Sequence, residues 1–199
     1  MSKGSIDIIC GPMFSGKTTE LLRHLEKLTY ANKKYILFKH SNGISYDKKV
    51  ETKKISSDIK FIRVDSAIDI KEYIEDVENI HTIAIDDAQL FQDNKVFSLI
   101  DLVKKLKLKG IKVLINGLDM DYKGNPYGLM PQLMAIADSV MKIKAICSFK
   151  GCMNEAEMSF RSKVTEDYIN EEGELCSREV DVYEARCFDH WSSSELFDD

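Results

Sequence analysis

No stretch of this sequence approaches the roughly 18–20 consecutive apolar residues needed to span a bilayer. The start, Met1-Ser2-Lys3-Gly4, leads directly into a strand without the apolar core of a signal peptide, so a cytoplasmic protein with no membrane partner is expected. An excess of basic charge is missing as well: 28 Lys and Arg stand against 33 Asp and Glu, a net charge of −5. That balance gives no footprint for coating nucleic-acid phosphates, and a bulk DNA- or RNA-binding role is disfavoured. Internal repeats and low-complexity linkers are absent, which leaves one medium domain, or one domain with a small appendage, for 199 residues. The five cysteines, in the compartment expected, are thiols or metal ligands rather than disulfides.

What is present is, first, Gly11-Pro12-Met13-Phe14-Ser15-Gly16-Lys17-Thr18, directly after the apolar run Ile6 to Cys10. The spacing is that of a phosphate-binding P-loop, in which glycines let successive N–H groups point at phosphate oxygens. Lys17 then reaches the β- and γ-phosphates and the Thr18 hydroxyl ligates Mg²⁺. The motif requires a helix next, because a helix N-terminus supplies further amides and the positive end of its dipole. Leu21, Leu22, Leu25 and Leu28 recur on one helical face and meet that requirement.

Downstream, Lys34 to Lys39 reads as a strand, and His40 to Asp58 as an irregular polar loop. Lys60 to Val64 restores a strand, and Asp65-Ser66 caps a helix that carries Ile70, Tyr73, Ile74 and Val77 on one face. Ile80 to Ile85 is a continuous apolar strand ending in Asp86-Asp87, the form of a buried parallel strand with an acidic Walker-B end. Parallel strands present their carboxyl ends at one edge, so Asp86 is expected to hold Mg²⁺ there, directly or through water, and Asp87 to act as a base or to orient the nucleophile. Asp93 to Lys109 is expected as an amphipathic helix with Val96, Leu99, Ile100, Val103 and Leu106 inward. Ile111 to Ile115 is a strand, and Asn116 to Pro131 a loop whose Tyr122 and Tyr127 either flank a planar ligand or pack half-buried. A short helix, Gln132 to Asp138, and a last strand, Ser139 to Ala145, complete an alternation that predicts a parallel sheet with helices on both faces.

From residue 146 the character changes. Cys147-x₄-Cys152 and Cys187-x₂-His190 have the spacing of two knuckles of a tetrahedral structural zinc site, with short polar strands between them. Cys10 reads as core, and Cys176 as a rival ligand to His190. The expected domains are therefore residues 1–145 and 146–199.

The run Gly11 to Thr19 followed by Glu20-Leu21, then Ile85-Asp86-Asp87-Ala88-Gln89, Gly117-Leu118-Asp119, Pro126-Tyr127-Gly128 and Tyr183-Glu184-Ala185-Arg186-Cys187-x-x-His190, resembles type II thymidine kinase, collinearly and over almost the whole chain. The resemblance implies a RecA-like sheet followed by a zinc-bearing lasso domain, and transfer of the ATP γ-phosphate to the 5′-hydroxyl of thymidine with Mg²⁺. It gives Asp86 the Walker-B role, Asp87 that of catalytic base beside Lys17, and Met13, Leu90, Leu118, Tyr122, Tyr127, Ser159 and Tyr183 a nucleoside pocket. The thymine is then held largely by main-chain groups of a lasso loop, Cys176 to Tyr183. A homotetramer, dTTP as feedback inhibitor and deoxyuridine as a second acceptor are also implied.

The chain departs from the family pattern in several places. Asp87 stands where the family has Glu, Gly43 and Ser45 where it has an acid and an arginine, and Leu90 where it has an aromatic residue. Lys48, Lys49 and Arg161 are candidates to replace the arginine. Three functional readings follow: an active thymidine kinase, a kinase with altered nucleoside preference, and a nucleotide-binding module that has lost the chemistry.

Overall fold

The computed structural model describes residues 3–43, 59, 61–92, 97–169 and 175–195. β1 (Ile6–Cys10) leads into α1 (Lys17–Tyr30). After it come β2 (Tyr35–His40), β3 (Phe61–Val64), α2 (Ala67–Glu75), β4 (Thr82–Asp86), α3 (Leu99–Leu108), β5 (Lys112–Gly117), α4 (Met130–Ile136) and β6 (Ser139–Lys142). These six strands form one wholly parallel sheet in the order β3-β2-β4-β5-β1-β6. Among the described residues, no helix is long and apolar enough to cross a membrane.

The period of two along each strand divides the apolar residues between two faces. Ile9, Leu37, Ala84 and Leu114 meet Leu21, Leu22 and Leu25 of α1 on one side. Leu21 and Leu25 are fully buried there, each contributing on the order of 2 kcal/mol. On the other side Ile6, Ile8, Phe38, Ile83, Ile85, Val113 and Ile115 are covered by Ile70 of α2, Leu99, Leu102, Val103 and Leu106 of α3, and Met130 and Leu133 of α4. Ser66 starts α2 with a reciprocal cap: its Oγ accepts from the Asp69 N–H while Asp69 Oδ2 accepts from the Ser66 N–H.

Several expectations need correction. The helix expected over Asp93 to Lys109 begins at Leu99, where the Ser98 Oγ accepts from the Ile100 N–H at 3.0 Å; residues 93–96 lie outside the described set. The short helix starts two residues early, at Met130, with Pro131 in its first turn, where a missing N–H costs nothing. The strand expected over Ser139 to Ala145 splits in two. Ser139–Lys142 pairs with β1, whereas β7 (Ala145–Ile146) pairs antiparallel with β8 (Glu155–Ala156) in a separate small sheet.

The segments between the cysteine pairs are not short strands. β9 (Met158–Ile169) and β10 (Leu175–Arg186) are 12 residues each and form an antiparallel ribbon, so the lasso segment Cys176 to Tyr183 is strand rather than loop. Its base is anchored by Met158 and Phe160, which pack with Trp191 of α5 (Phe188–Glu195), and the Trp191 ring N–H donates to the Tyr122 carbonyl at 2.9 Å.

Candidate active site at the carboxyl edge of the sheet

The face that packs under α1 carries its rows past the helix N-terminus, and each row then turns polar. Leu37 is followed two residues on by Lys39, Ala84 by Asp86 and Leu114 by Asn116. All three polar residues are buried, at 4%, 0% and 1% exposure. The register pairs Lys39 with Asp86 directly, and Lys39 Nζ lies 3.0 Å from Asp86 Oδ2.

The phosphate-binding loop wraps over this edge. Gly11 has φ +141°, and a Cβ there would lie 2.0 Å from the Ile143 carbonyl oxygen; Gly16 has φ +84° and forms the N-cap of α1. Phe14 also has positive φ, at 62°, and is exposed. The Ser15 hydroxyl and the Lys17 ammonium both donate to the Pro12 carbonyl, at 2.8 and 2.6 Å. Burial lowers Lys17 to about 8, while the fields of Asp87, Asp119 and Asp86 oppose the shift. Cys10 is core, and burial together with Asp119 pushes its thiol up to about 11.

The Thr18 hydroxyl donates to Asp86 Oδ1 at 3.1 Å. Burial, followed by the field of Asp87, holds the Asp86 carboxyl above its ordinary range in spite of Lys39 and Thr18. A buried carboxylate next to a hydroxyl is a hard-oxygen donor pair that fits Mg²⁺, and a divalent cation would reverse that shift.

Consecutive residues of an extended strand point to opposite faces, yet Asp87 joins Asp86 at the same ammonium: its Oδ2 is 3.2 Å from Lys39 Nζ. The cause is a left-handed backbone at Asp87, φ 58°, ψ 42°. Such a conformation in a non-glycine residue costs on the order of 1 kcal/mol or more. The surroundings fix it, since the Asp87 N–H donates to Asn116 Oδ1 at 3.2 Å and Gln89 Nε2 donates to Asp87 Oδ1 at 3.4 Å. Gln89 Oε1 in turn accepts from the Leu118 N–H at 3.0 Å. Burial works against the charge on Lys39, but Asp86 and Asp87 outweigh it and hold the ammonium above its ordinary value.

Among the residues expected to line a nucleoside pocket, the Met13 N–H donates to Ser159 Oγ at 3.0 Å. Leu90 closes the short 3₁₀ turn after Asp87, and the Tyr127 N–H donates to the Asp119 carbonyl. Tyr122 is not open on both faces: the Arg161 guanidinium lies 3.7 Å from its ring centroid and donates to its hydroxyl at 2.5 Å. Arg161 pairs in register with Tyr183 and lies 3.7 Å from Asp181, so it serves the ribbon and Tyr122. Gly43 sits against Asp87, whereas Ser45, Lys48 and Lys49 lie outside the described residues.

Sequence reasoning gave no role to Lys39, Gln89, Asn116 or the Asp119–Lys142 ion pair, which spans 2.7 Å with Asp119 buried. A usable signal was there for two of them: a polar side chain ending an otherwise apolar alternate-residue row, as Asp86 does.

The Cys147, Cys152, Cys187 and His190 ligand atoms all lie within 4.8 Å of one another, with His190 Nδ1 3.1 Å from Cys187 Sγ and 3.6 Å from Cys147 Sγ. Tetrahedral zinc with Zn–S about 2.3 Å and Zn–N about 2.0 Å sets its ligands roughly 3.5–3.8 Å apart, so the donor set fits that ion. Phe149 stacks on the His190 ring at 4.0 Å. Burial opposes ionisation of Cys147, but the amides of Cys187 and Phe149, with His190, hold it at about 7. Cys176 is not a rival ligand: it pairs with Tyr168 in the ribbon, ten residues from Arg186 along β10, or about 33 Å of strand. The buried residues packed with the cysteines are small, Ala145, Ala156 and Ala185, so Ala145 belongs to this core rather than to the large sheet.

A wholly parallel sheet with a glycine-turned loop between β1 and α1, and a hydroxyl–carboxylate pair where that loop meets β4, defines a P-loop nucleotide-binding protein of the α/β class. The thymidine kinase family model matches residues 4–191, and the chain belongs to that family. A thymidine kinase of Bacteroides thetaiotaomicron is 37% identical over 93% of this chain and 85% of its own length. One of Mycoplasma genitalium is 35% identical over 96% and 84%, and one of Porphyromonas gingivalis 39% identical over 87% and 83%. Among solved structures, the flagellar accessory protein FlaH of Methanocaldococcus jannaschii matches at TM-score 0.48 and 13% identity, over 92% of this chain and 79% of that one.

Proposed function

We propose that the chain transfers the ATP γ-phosphate to the 5′-hydroxyl of thymidine, giving dTMP and ADP, with deoxyuridine as a second acceptor. The hydroxyl oxygen forms its bond to the γ-phosphorus as the bond to the β,γ-bridging oxygen breaks, and the hydroxyl proton passes to Asp87. Residues Gly11 to Thr19 cradle the phosphates with their amides and the N-terminus of α1. Lys17 leaves the Pro12 carbonyl for the β- and γ-phosphates. Thr18 and Asp86 hold Mg²⁺, which neutralises charge on the phosphate oxygens. Met13, Leu90, Leu118, Tyr122, Tyr127, Ser159 and Tyr183 line the nucleoside pocket. Zinc on Cys147, Cys152, Cys187 and His190 is structural, in a domain that starts at β7, while the phosphate-binding domain ends with β6.

The observation that carries this reading is the convergence of Asp86, bonded to Thr18, and Asp87 on one edge of the sheet. Nothing in the geometry favours a nucleotide-binding module that has lost its chemistry. A homotetramer in the cytoplasm, inhibited by dTTP, completes the proposal; light scattering and inhibition by added dTTP check those parts.

The deciding experiment measures rates on thymidine, deoxyuridine and deoxycytidine with Mg-ATP. Thymidine is expected to be phosphorylated and deoxyuridine to be slower by about 5- to 150-fold, the worth of one methyl in an apolar pocket. No turnover above an Asp87→Asn control overturns the reading.

A further inference from the structure

We propose that Lys39 is a positioning residue for the transfer step: its ammonium fixes the Asp87 carboxylate in place as the base. This rests on the kinase reading above and adds to it a residue that neither loop motif contains. Lys39 is the penultimate residue of β2, is 4% exposed, and lies 3.0 Å from Asp86 Oδ2 and 3.2 Å from Asp87 Oδ2. A buried ammonium persists only where it is paired, and both carboxylates are among its partners.

The two carboxylates are not equivalent partners. Asp86 spends its other oxygen on Thr18 and so faces the metal side. Asp87 has a short side chain on a left-handed backbone, and among the described residues its Oδ1 has only a long 3.4 Å bond from Gln89. Like charge on Asp86 would push Asp87 away if Lys39 did not bridge them. Lys39 therefore holds the buried Oδ2, which has no hydrogen-bond partner among the described residues, by ion pairing at 3.2 Å and leaves Oδ1 to take the proton.

The turn after β2 closes on this pair. A Cβ at Gly43 would lie 2.5 Å from Asp87 Oδ2 and 3.0 Å from Lys39 Cε. Only glycine lets the backbone come so close, and the carboxylate is thus confined by Lys39, Gln89 and the main chain at residue 43. Confinement matters because a base displaced by about 1 Å can lose on the order of 100-fold in rate.

The test has one arm that needs no turnover. In ¹⁵N-lysine NMR, the ζ-ammonium signal lost in Lys39→Met identifies Lys39, and Asp87→Asn is expected to shift it; an unshifted signal overturns the proposal whatever the activity. In the kinetic arm, Lys39→Met is expected to lower kcat about 10- to 100-fold with KM for Mg-ATP changed less than about threefold, and Lys39→Arg to recover part of the loss. In the Asp87→Asn background the same substitution should cost less than about twofold. A cost that persists there, or that falls on KM for Mg-ATP, assigns Lys39 to Asp86 and overturns the proposal. Failure of the wild-type protein to phosphorylate thymidine sinks the kinase reading and with it the transfer-step role, whereas the NMR arm decides separately whether Lys39 holds Asp87.

Discussion

Ser159 Oγ accepts a hydrogen bond from the Met13 N–H at 3.0 Å, tying β9 to the phosphate-binding loop across 146 positions of sequence. Ser159 is 4% exposed and the bond is part-buried. Ser159→Ala should lower stability by about 1 kcal/mol and raise KM for thymidine roughly fivefold with kcat little changed, because it loosens a pocket wall and leaves the base in place. Thermal unfolding and steady-state kinetics check both; a loss confined to kcat contradicts this placement.

The small core around Ala145, Ala156 and Ala185 is too slight to hold the ribbon by burial alone. About one zinc ion per chain is expected by elemental analysis, lost in Cys187→Ser and in His190→Ala. Structural zinc in small domains contributes on the order of 10 kcal/mol, so chelation should expose Trp191 and red-shift its fluorescence. Cys176→Ser should leave the zinc content unchanged.

Burial lowers Lys17 to about 8, and an anion beside it must raise that value again. Nucleotide binding above pH 8 should therefore take up a proton, and affinity should fall with rising pH by up to about tenfold per unit. Below pH 8 Lys17 already carries the proton in both states, so the dependence from this group vanishes. Calorimetry in buffers of different ionisation enthalpy measures the uptake; proton release at pH 8.5 would contradict it.

Gly128 has φ +54°, and a Cβ there would lie 2.1 Å from the Gln89 carbonyl oxygen. Gly128→Ala should cost roughly 2 kcal/mol or more, combining left-handed strain with overpacking. It should also lower kcat, because Gln89 bonds both Asp87 and the Leu118 amide. Unfolding midpoints and turnover are the measurements.

Much of the fold was legible because its signals are local. The spacing from Gly11 to Thr18, the apolar run ahead of Asp86, the Ser66 cap and the two Cys/His pairs each occupy a few residues whose geometry follows from backbone sterics or ligand spacing. The ribbon was harder to read: the polar alternation from Met158 to Arg186 looks like short turn-rich strands, because a two-stranded element far from any large core has no apolar row to mark its length. Cys176 illustrates the same limit, since spacing alone does not say which way a 12-residue strand carries a thiol.

By itself the sequence determined that a glycine-turned loop leads into a helix N-terminus after β1, that an acid closes β4, and that four ligands of zinc type come in two pairs. These are properties of short segments. Only the tertiary structure decided that Lys39, from a strand with no motif, lies between Asp86 and Asp87, and that Asp87 turns through a positive φ to meet it. The physical reason is register: the parallel pairing of β2 with β4 places Lys39 opposite Asp86, and the bond from the Asp87 N–H to Asn116 on β5 holds the turned backbone.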